Sequence, residues 1–188
     1  GFGAYAGGTN QTGIGNTHVG YASGNGSGGT SASYNVSMGY ASLNNISTGQ
    51  HNCGIGTNAL TTVNTGNGHV ALGSYAGYYT AGGGYNVMIG YEAGYVNASG
   101  NNNVAIGRRA MYTPSAADYN VVVGYYAGYS LNSTTNTGNN TFIGTYAGYG
   151  TTSGQYNTFI GGSVTAGGAG YSVTSGSKNV IIGNYTGN

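Results

Sequence analysis

A glycine preceded by a bulky apolar residue recurs eleven times, at positions 3, 20, 39, 56, 73, 90, 107, 124, 144, 161 and 183, and the ten intervals are 17, 19, 17, 17, 17, 17, 17, 20, 17 and 22 residues. A 17-residue unit is thus repeated end to end with three small insertions. Self-similarity of this kind constrains the fold more than any local propensity, because one unit can bury its apolar face only by stacking on its neighbours.

Counting from each anchor glycine, the fourth residue upstream is Asn16, Asn35, Asn52, His69, Asn86, Asn103, Asn120, Asn140, Asn157 or Asn179. The third upstream is mostly Val or Thr and the first upstream mostly Ile or Val. Two such positions, two residues apart and rich in β-branched side chains, predict one face of a short strand, and that face is expected to be the core. The position between them then points away. It holds Ala71, Met88, Ala105, Val122, Phe142, Phe159 and Ile181 alongside His18, Ser37 and Gly54, and an apolar row on the outside of a thin rod predicts a subunit interface.

Beyond the anchor, the third residue is mostly alanine and the fourth often glycine. The anchor glycine is expected at the corner where the strand turns, with the alanine pointing inward on a second short strand. Helix is disfavoured, since glycine costs about 1 kcal/mol per helical position. The expected fold is all-β: a parallel β-solenoid or β-roll of about eleven 17-residue coils, stacked about 4.8 Å apart into a rod on the order of 50 Å long. It forms a single repeat domain over 1–188. Backbone ladders and an asparagine ladder, each amide bonding the one above, are expected to supplement a thin core. The chain starts and stops within repeats, which predicts a piece of a longer fibre, its open strand edges inviting continuation of the same chain or end-to-end stacking into a filament.

Composition narrows the function. The 188 residues carry only five charges, Glu92, Arg108, Arg109, Asp118 and Lys178, for a net of +1. No basic stripe exists to follow phosphates, so nucleic acid is a poor partner. No apolar run approaches the roughly 20 residues of a membrane-spanning helix. The 41 glycines follow no three-residue period, so the chain is not collagen.

The segments Asn103-Val104-Ala105-Ile106-Gly107, Asn86-Val87-Met88-Ile89-Gly90-Tyr91-Glu92-Ala93-Gly94 and Asn140-Thr141-Phe142-Ile143-Gly144-Thr145-Tyr146-Ala147-Gly148 resemble the repeats of bacteriophage tail-fibre proteins, and are similar to those in the heads of trimeric autotransporter adhesins. The resemblance covers nearly the whole chain. It implies a homotrimer of parallel β-rolls on a virion or cell surface, used for attachment to a cell-surface glycan or protein receptor. It transfers no binding residues.

Little in the sequence carries chemistry. Glu92 and Asp118 fall on different arcs, whereas a glycosidase needs a facing carboxylate pair, so no enzyme is expected. Glu92 matches Arg109 one coil on as a surface pair. Cys53 stands in a valine column and is expected to be a small buried hydrophobe. His51 and His69 lie near strand starts on adjacent coils, without a third metal ligand. The run from Gly24 to Gly29 matches G-x-G-x-x-G without the strand and helix that make it a dinucleotide site. No cofactor is expected. Tyr78, Tyr95, Tyr112, Tyr129 and Tyr149 share the fifth position after five consecutive anchors and predict an aromatic file serving for stacking or for ligand binding. The longer arcs, Gly24 to Ser33, Ser130 to Asn139 and Thr165 to Ser177, are the expected contact loops. The leading expectation is a structural or adhesive surface fibre; the alternatives are an ice-binding β-solenoid and a polysaccharide-binding or -cleaving fibre.

Overall fold

Each unit gives only three residues to regular strand, because the glycine that closes the strand also bends the chain. The computed structural model describes residues 1–10, 12–26, 31–114, 116–132, 138–163 and 167–184. Ten strands follow in chain order: β1 (Thr17–Val19), β2 (Val36–Met38), β3 (Cys53–Ile55), β4 (Val70–Leu72), β5 (Val87–Ile89), β6 (Val104–Ile106), β7 (Val121–Val123), β8 (Thr141–Ile143), β9 (Thr158–Ile160) and β10 (Val180–Ile182). All pair in parallel with their sequence neighbours in one ten-stranded sheet of order β1 to β10. Register holds through the insertions: Val121 pairs with Thr141 across a 20-residue interval and Thr158 with Val180 across 22. The β-solenoid is as expected from the repeat.

The strand faces are the reverse of the expectation. The middle residue of each strand points inward and its two neighbours point out. Phe142 is 0% exposed while Ile143 beside it is 39% exposed. Ala71, Met88, Ala105, Val122, Phe142 and Phe159 are buried and Ile181 packs against them, so the predicted interface row is the core of the coil. The reason is geometric. A three-residue strand has a single inward position, and inside a narrow coil that position takes whatever volume is free. The β-branched residues outside serve strand geometry instead. Cys53, in one of the outward columns, is accordingly half-buried rather than a core residue.

The inward column changes character along the rod. At the first coils it is polar and internally bonded: His18 Nδ1 lies 2.7 Å from Ser37 Oγ, Ser37 Oγ 2.6 Å from Ser23 Oγ, and Ser42 Oγ donates to the Gly54 carbonyl at 2.8 Å. Later coils carry Met88, Val122 and a stacked pair, Phe142 and Phe159, with ring centroids 5.0 Å apart. The residue four after the anchor shares the same space. Where the strand supplies Met88, Val122 or Phe142, that residue is Gly94, Gly128 or Gly148; where it supplies Ser37, Gly54 or Ala105, it is Leu43, Leu60 or Met111. One large side chain fills each of these coils, from either side. Ala71 and Gly77 are both small, and there Leu60 and Met88 reach in from the adjoining coils.

The alanine three after the anchor is buried as expected, with Ala59, Ala76, Ala93, Ala110, Ala127 and Ala147 at 0% exposure. Its arc is a turn, not a second strand. Alternate residues are left-handed, as at Tyr126 and Gly128, both φ 54. Their amides therefore bond in opposite directions: Tyr126 N donates to Arg108 O of the coil before (3.0 Å) and Gly128 N to Ala147 O of the coil after (2.8 Å). Leu43, Leu60 and Met111 accept the same conformation, which costs a non-glycine residue roughly 1–2 kcal/mol and is offset by complete burial of their side chains. At the anchors, a β-carbon on Gly107 would lie 2.6 Å from the Gly124 carbonyl oxygen of the next coil, at φ +124. Glycine is required there on both counts.

The asparagine ladder is present. Asn103, Asn120 and Asn140 each donate from Nδ2 to the Oδ1 of the preceding asparagine at 2.9, 3.0 and 3.0 Å, and their backbone amides bond the same oxygens. The column runs through Asn16, Asn35, Asn52, Asn86, Asn103, Asn120, Asn140, Asn157 and Asn179. His69 interrupts it. Its backbone amide still bonds Asn52 Oδ1 at 2.9 Å, but its ring substitutes imperfectly: Nδ1 receives Asn86 N at 3.4 Å, and Nε2 is buried without a hydrogen bond of ordinary geometry.

Candidate functional site

The structure presents two candidate surfaces, one aliphatic and one aromatic, and no cavity among the described residues. The aliphatic surface is the outer side of the sheet. Two columns cover it: Thr17, Val36, Cys53, Val70, Val87, Val104, Val121, Thr141, Thr158 and Val180, and Val19, Met38, Ile55, Leu72, Ile89, Ile106, Val123, Ile143, Ile160 and Ile182. Parallel pairing in constant register keeps every member on the outward side. None of the twenty is charged. Parallel sheets are normally covered on both faces, and this one is bare on one.

The aromatic surface lies on the arc after the strand. Tyr78, Tyr95, Tyr112, Tyr129 and Tyr149 stack as expected, with centroid separations of 5.4, 5.0, 5.0 and 5.1 Å and interplanar angles of 12° or less. Tyr171 extends the file at 5.1 Å from Tyr149. Counting from the anchor misses Tyr171 because an insertion displaces it; the constant register of the sheet puts it back. The rings are half-buried, and burial raises the Tyr95, Tyr112 and Tyr149 phenols above their ordinary range. A second group adjoins the file: Tyr75 packs against Tyr78 and Tyr91, and Tyr126 lies 5.2 Å from Tyr129.

Charge collects within this aromatic surface. Arg109 Nε donates to Glu92 and its Nη1 to the Tyr126 hydroxyl, both at 2.5 Å, so the predicted coil-to-coil pair is present. The bond to Glu92 raises the guanidinium's affinity for its proton. Asp118 is buried and accepts from Asn101 N at 2.6 Å and Asn101 Nδ2 at 3.1 Å. The two carboxylates are thus each committed to a different partner. Arg108 is exposed and lies between Tyr91 and Tyr125, its guanidinium carbon 5.9 and 5.6 Å from their ring centroids. Its signal in the sequence is an arginine in a column that holds Tyr91 one coil before and Tyr125 one coil after.

His51 and His69 do not come together. His51 is exposed and stacks on Tyr34 at 5.1 Å, while His69 is in the core, its pKa lowered to about 4 by burial, with the Gly82 backbone offsetting part of the effect. Among the described residues no three His, Cys, Asp or Glu side chains group to hold a metal ion. No described helix is long and apolar enough to cross a membrane. Of the expected contact loops, residues 27–30, 133–137 and 165–166 lie outside the described residues, as do Gly28 and Gly29 of the G-x-G-x-x-G match.

No known protein family, curated protein or solved structure matches this chain.

Proposed function

We propose that the chain is the shaft of an extracellular or virion-surface fibre, a structural and adhesive element and not an enzyme. The observation that carries this reading is the bare outer sheet face, two uncharged columns running the length of ten strands. An apolar surface this long and regular is suited to a second copy of itself, and packing copies side by side supplies the second layer that a parallel sheet ordinarily has. The subunit contact is therefore assigned to these columns, in a homotrimer or a filament, and not to the inward row. The non-enzymatic reading is supported by the commitment of Glu92 and Asp118 to separate partners.

Sedimentation tests it. The parent chain should sediment as a multiple of 18.7 kDa, and Ile106→Lys with Ile143→Lys should yield a folded monomer, because both side chains already lie on the outside. A parent chain that remains a folded monomer at about 100 μM, a concentration at which micromolar association would be evident, would refute the assembly.

The regularity of the same face favours one second reading, an ice-binding surface. Its threonines are confined to Thr17, Thr141 and Thr158, which leaves hydrogen-bonding groups sparse. Ice recrystallisation assays on the monomeric and associated forms separate the two: activity in a chain that never associates would favour ice.

A further inference from the structure

We propose that Arg108, with Tyr91 and Tyr125, forms a site for a carboxylated sugar, such as a uronic acid unit of a polysaccharide. The inference builds on the attachment reading above and gives it a ligand class.

Three observations converge on this place. The first is charge. Two of the three Lys and Arg side chains of the whole protein are adjacent here, and the single local carboxylate, Glu92, is taken by Arg109. One positive charge is left over, and it belongs to Arg108. The second is orientation. The guanidinium is held over the faces of Tyr91 and Tyr125, on the coils before and after. No hydrogen bond or ion pair joins the Arg108 side chain to a described residue, and a guanidinium presents a planar fork of N–H donors suited to bidentate carboxylate recognition. The third is the surroundings. Tyr91 is 44% exposed and Tyr125 37% exposed, and Tyr125 packs edge-on against Tyr126 and Tyr146 at 4.5 and 5.5 Å. Tyr125 is therefore held by its neighbours, and both rings are open to solvent and can meet the C–H face of a pyranose while Arg108 takes its carboxylate.

The other cations do not offer this. The charge of Arg109 is already paired with Glu92, and its Nη1 donates to the Tyr126 hydroxyl; Lys178 stands exposed near the last strand with a flexible ammonium in place of a planar fork. With no cavity among the described residues to enclose a ligand, single-unit affinity is expected in the millimolar range, and tight attachment would require several copies acting together.

The test is an NMR titration of the whole chain with a short oligogalacturonate and, separately, with its fully methyl-esterified form, which keeps the rings and removes the charge. The acid should bind and shift the Arg108 Nε–Hε signal, with binding weakened about tenfold for the ester and for Arg108→Gln. Arg108→Lys should recover only part of the loss, because charge returns without the fork, and Tyr125→Leu should weaken binding with the charge intact. All three substitutions are at exposed positions, and circular dichroism confirms that each variant is folded. Equal binding of acid and ester, unchanged binding by Arg108→Gln, or no binding at about 10 mM, well above the expected constant, would each overturn the site. Binding is read on the chain whatever its state of association, so failure here is distinct from failure of the fibre assembly.

Discussion

The ring of Phe142 occupies the place where Gly148 would carry a side chain: a β-carbon on Gly148 would fall 2.5 Å from Phe142 Cδ2. The coil that contains Ala105 and Met111 makes the opposite choice, and both residues are buried. These positions divide a fixed volume between them.

The division can be exchanged. Gly148→Met alone should destabilise by about 1–3 kcal/mol through overpacking, and Phe142→Ala alone by about 3–5 kcal/mol through the cavity it leaves. The double variant, which copies the Ala105 and Met111 arrangement, should be more stable than the sum of the two predicts, with a coupling on the order of 1–3 kcal/mol. Urea denaturation of all four chains measures it. Strict additivity would show that the two positions do not share space.

This reciprocity also explains what could be read in advance and what could not. The 17-residue period, the inward alanine, the asparagine column and the tyrosine file rest on like residues recurring at fixed spacing, and the Glu92–Arg109 pair on opposite charges one period apart, which a solenoid converts directly into vertical contacts. The facing of the strand could not be read from hydrophobicity, because the outward Val104 and Ile106 are more apolar than the inward Ala105 between them. The usable signal was size covariation within a unit, Ala105 with Met111 against Phe142 with Gly148. Arg108 belongs to no motif of its own; its meaning depends on the coils before and after it.

His69 should make the rod sensitive to acid. Burial lowers its pKa from the ordinary 6.5 to about 4, so the folded chain binds fewer protons than the unfolded chain between those limits. Stability is then complete above about pH 6.5 and is lost as pH falls toward 4, by about 3 kcal/mol in all. Burial also lowers the pKa of His18, which acts in the same direction. Thermal melts between pH 4 and pH 7.5 should show His69→Asn losing a large part of this acid sensitivity while keeping the His18 share. An unchanged pH profile in that variant would exclude His69 as the origin.

The tyrosine file should fail at the other end of the pH scale. Its raised phenol pKa values, at Tyr95, Tyr112 and Tyr149, are due first to burial. Their contribution is present below the unfolded value near 10 and is lost as pH rises through the folded values. Replacing Tyr95, Tyr112 and Tyr129 by phenylalanine should leave stability at pH 7 nearly unchanged and reduce the alkaline loss; replacement by alanine should lower stability at both. Melting curves at pH 7 and pH 10.5 distinguish the two. A phenylalanine variant as unstable as the alanine one would show that the hydroxyls, not the rings, hold the file together.

The hydrogen bonds that join one coil to the next, whether between strands, through asparagine amides or along the arc, point along the axis of the rod. Tension along that axis therefore pulls each bond in its own direction and loads one coil at a time, so that coils detach in succession instead of resisting together in shear. Each 17-residue unit released in this way adds on the order of 55 Å of extended chain. A tether built from such coils would yield in steps and lengthen under load, damping the force that reaches whatever it holds.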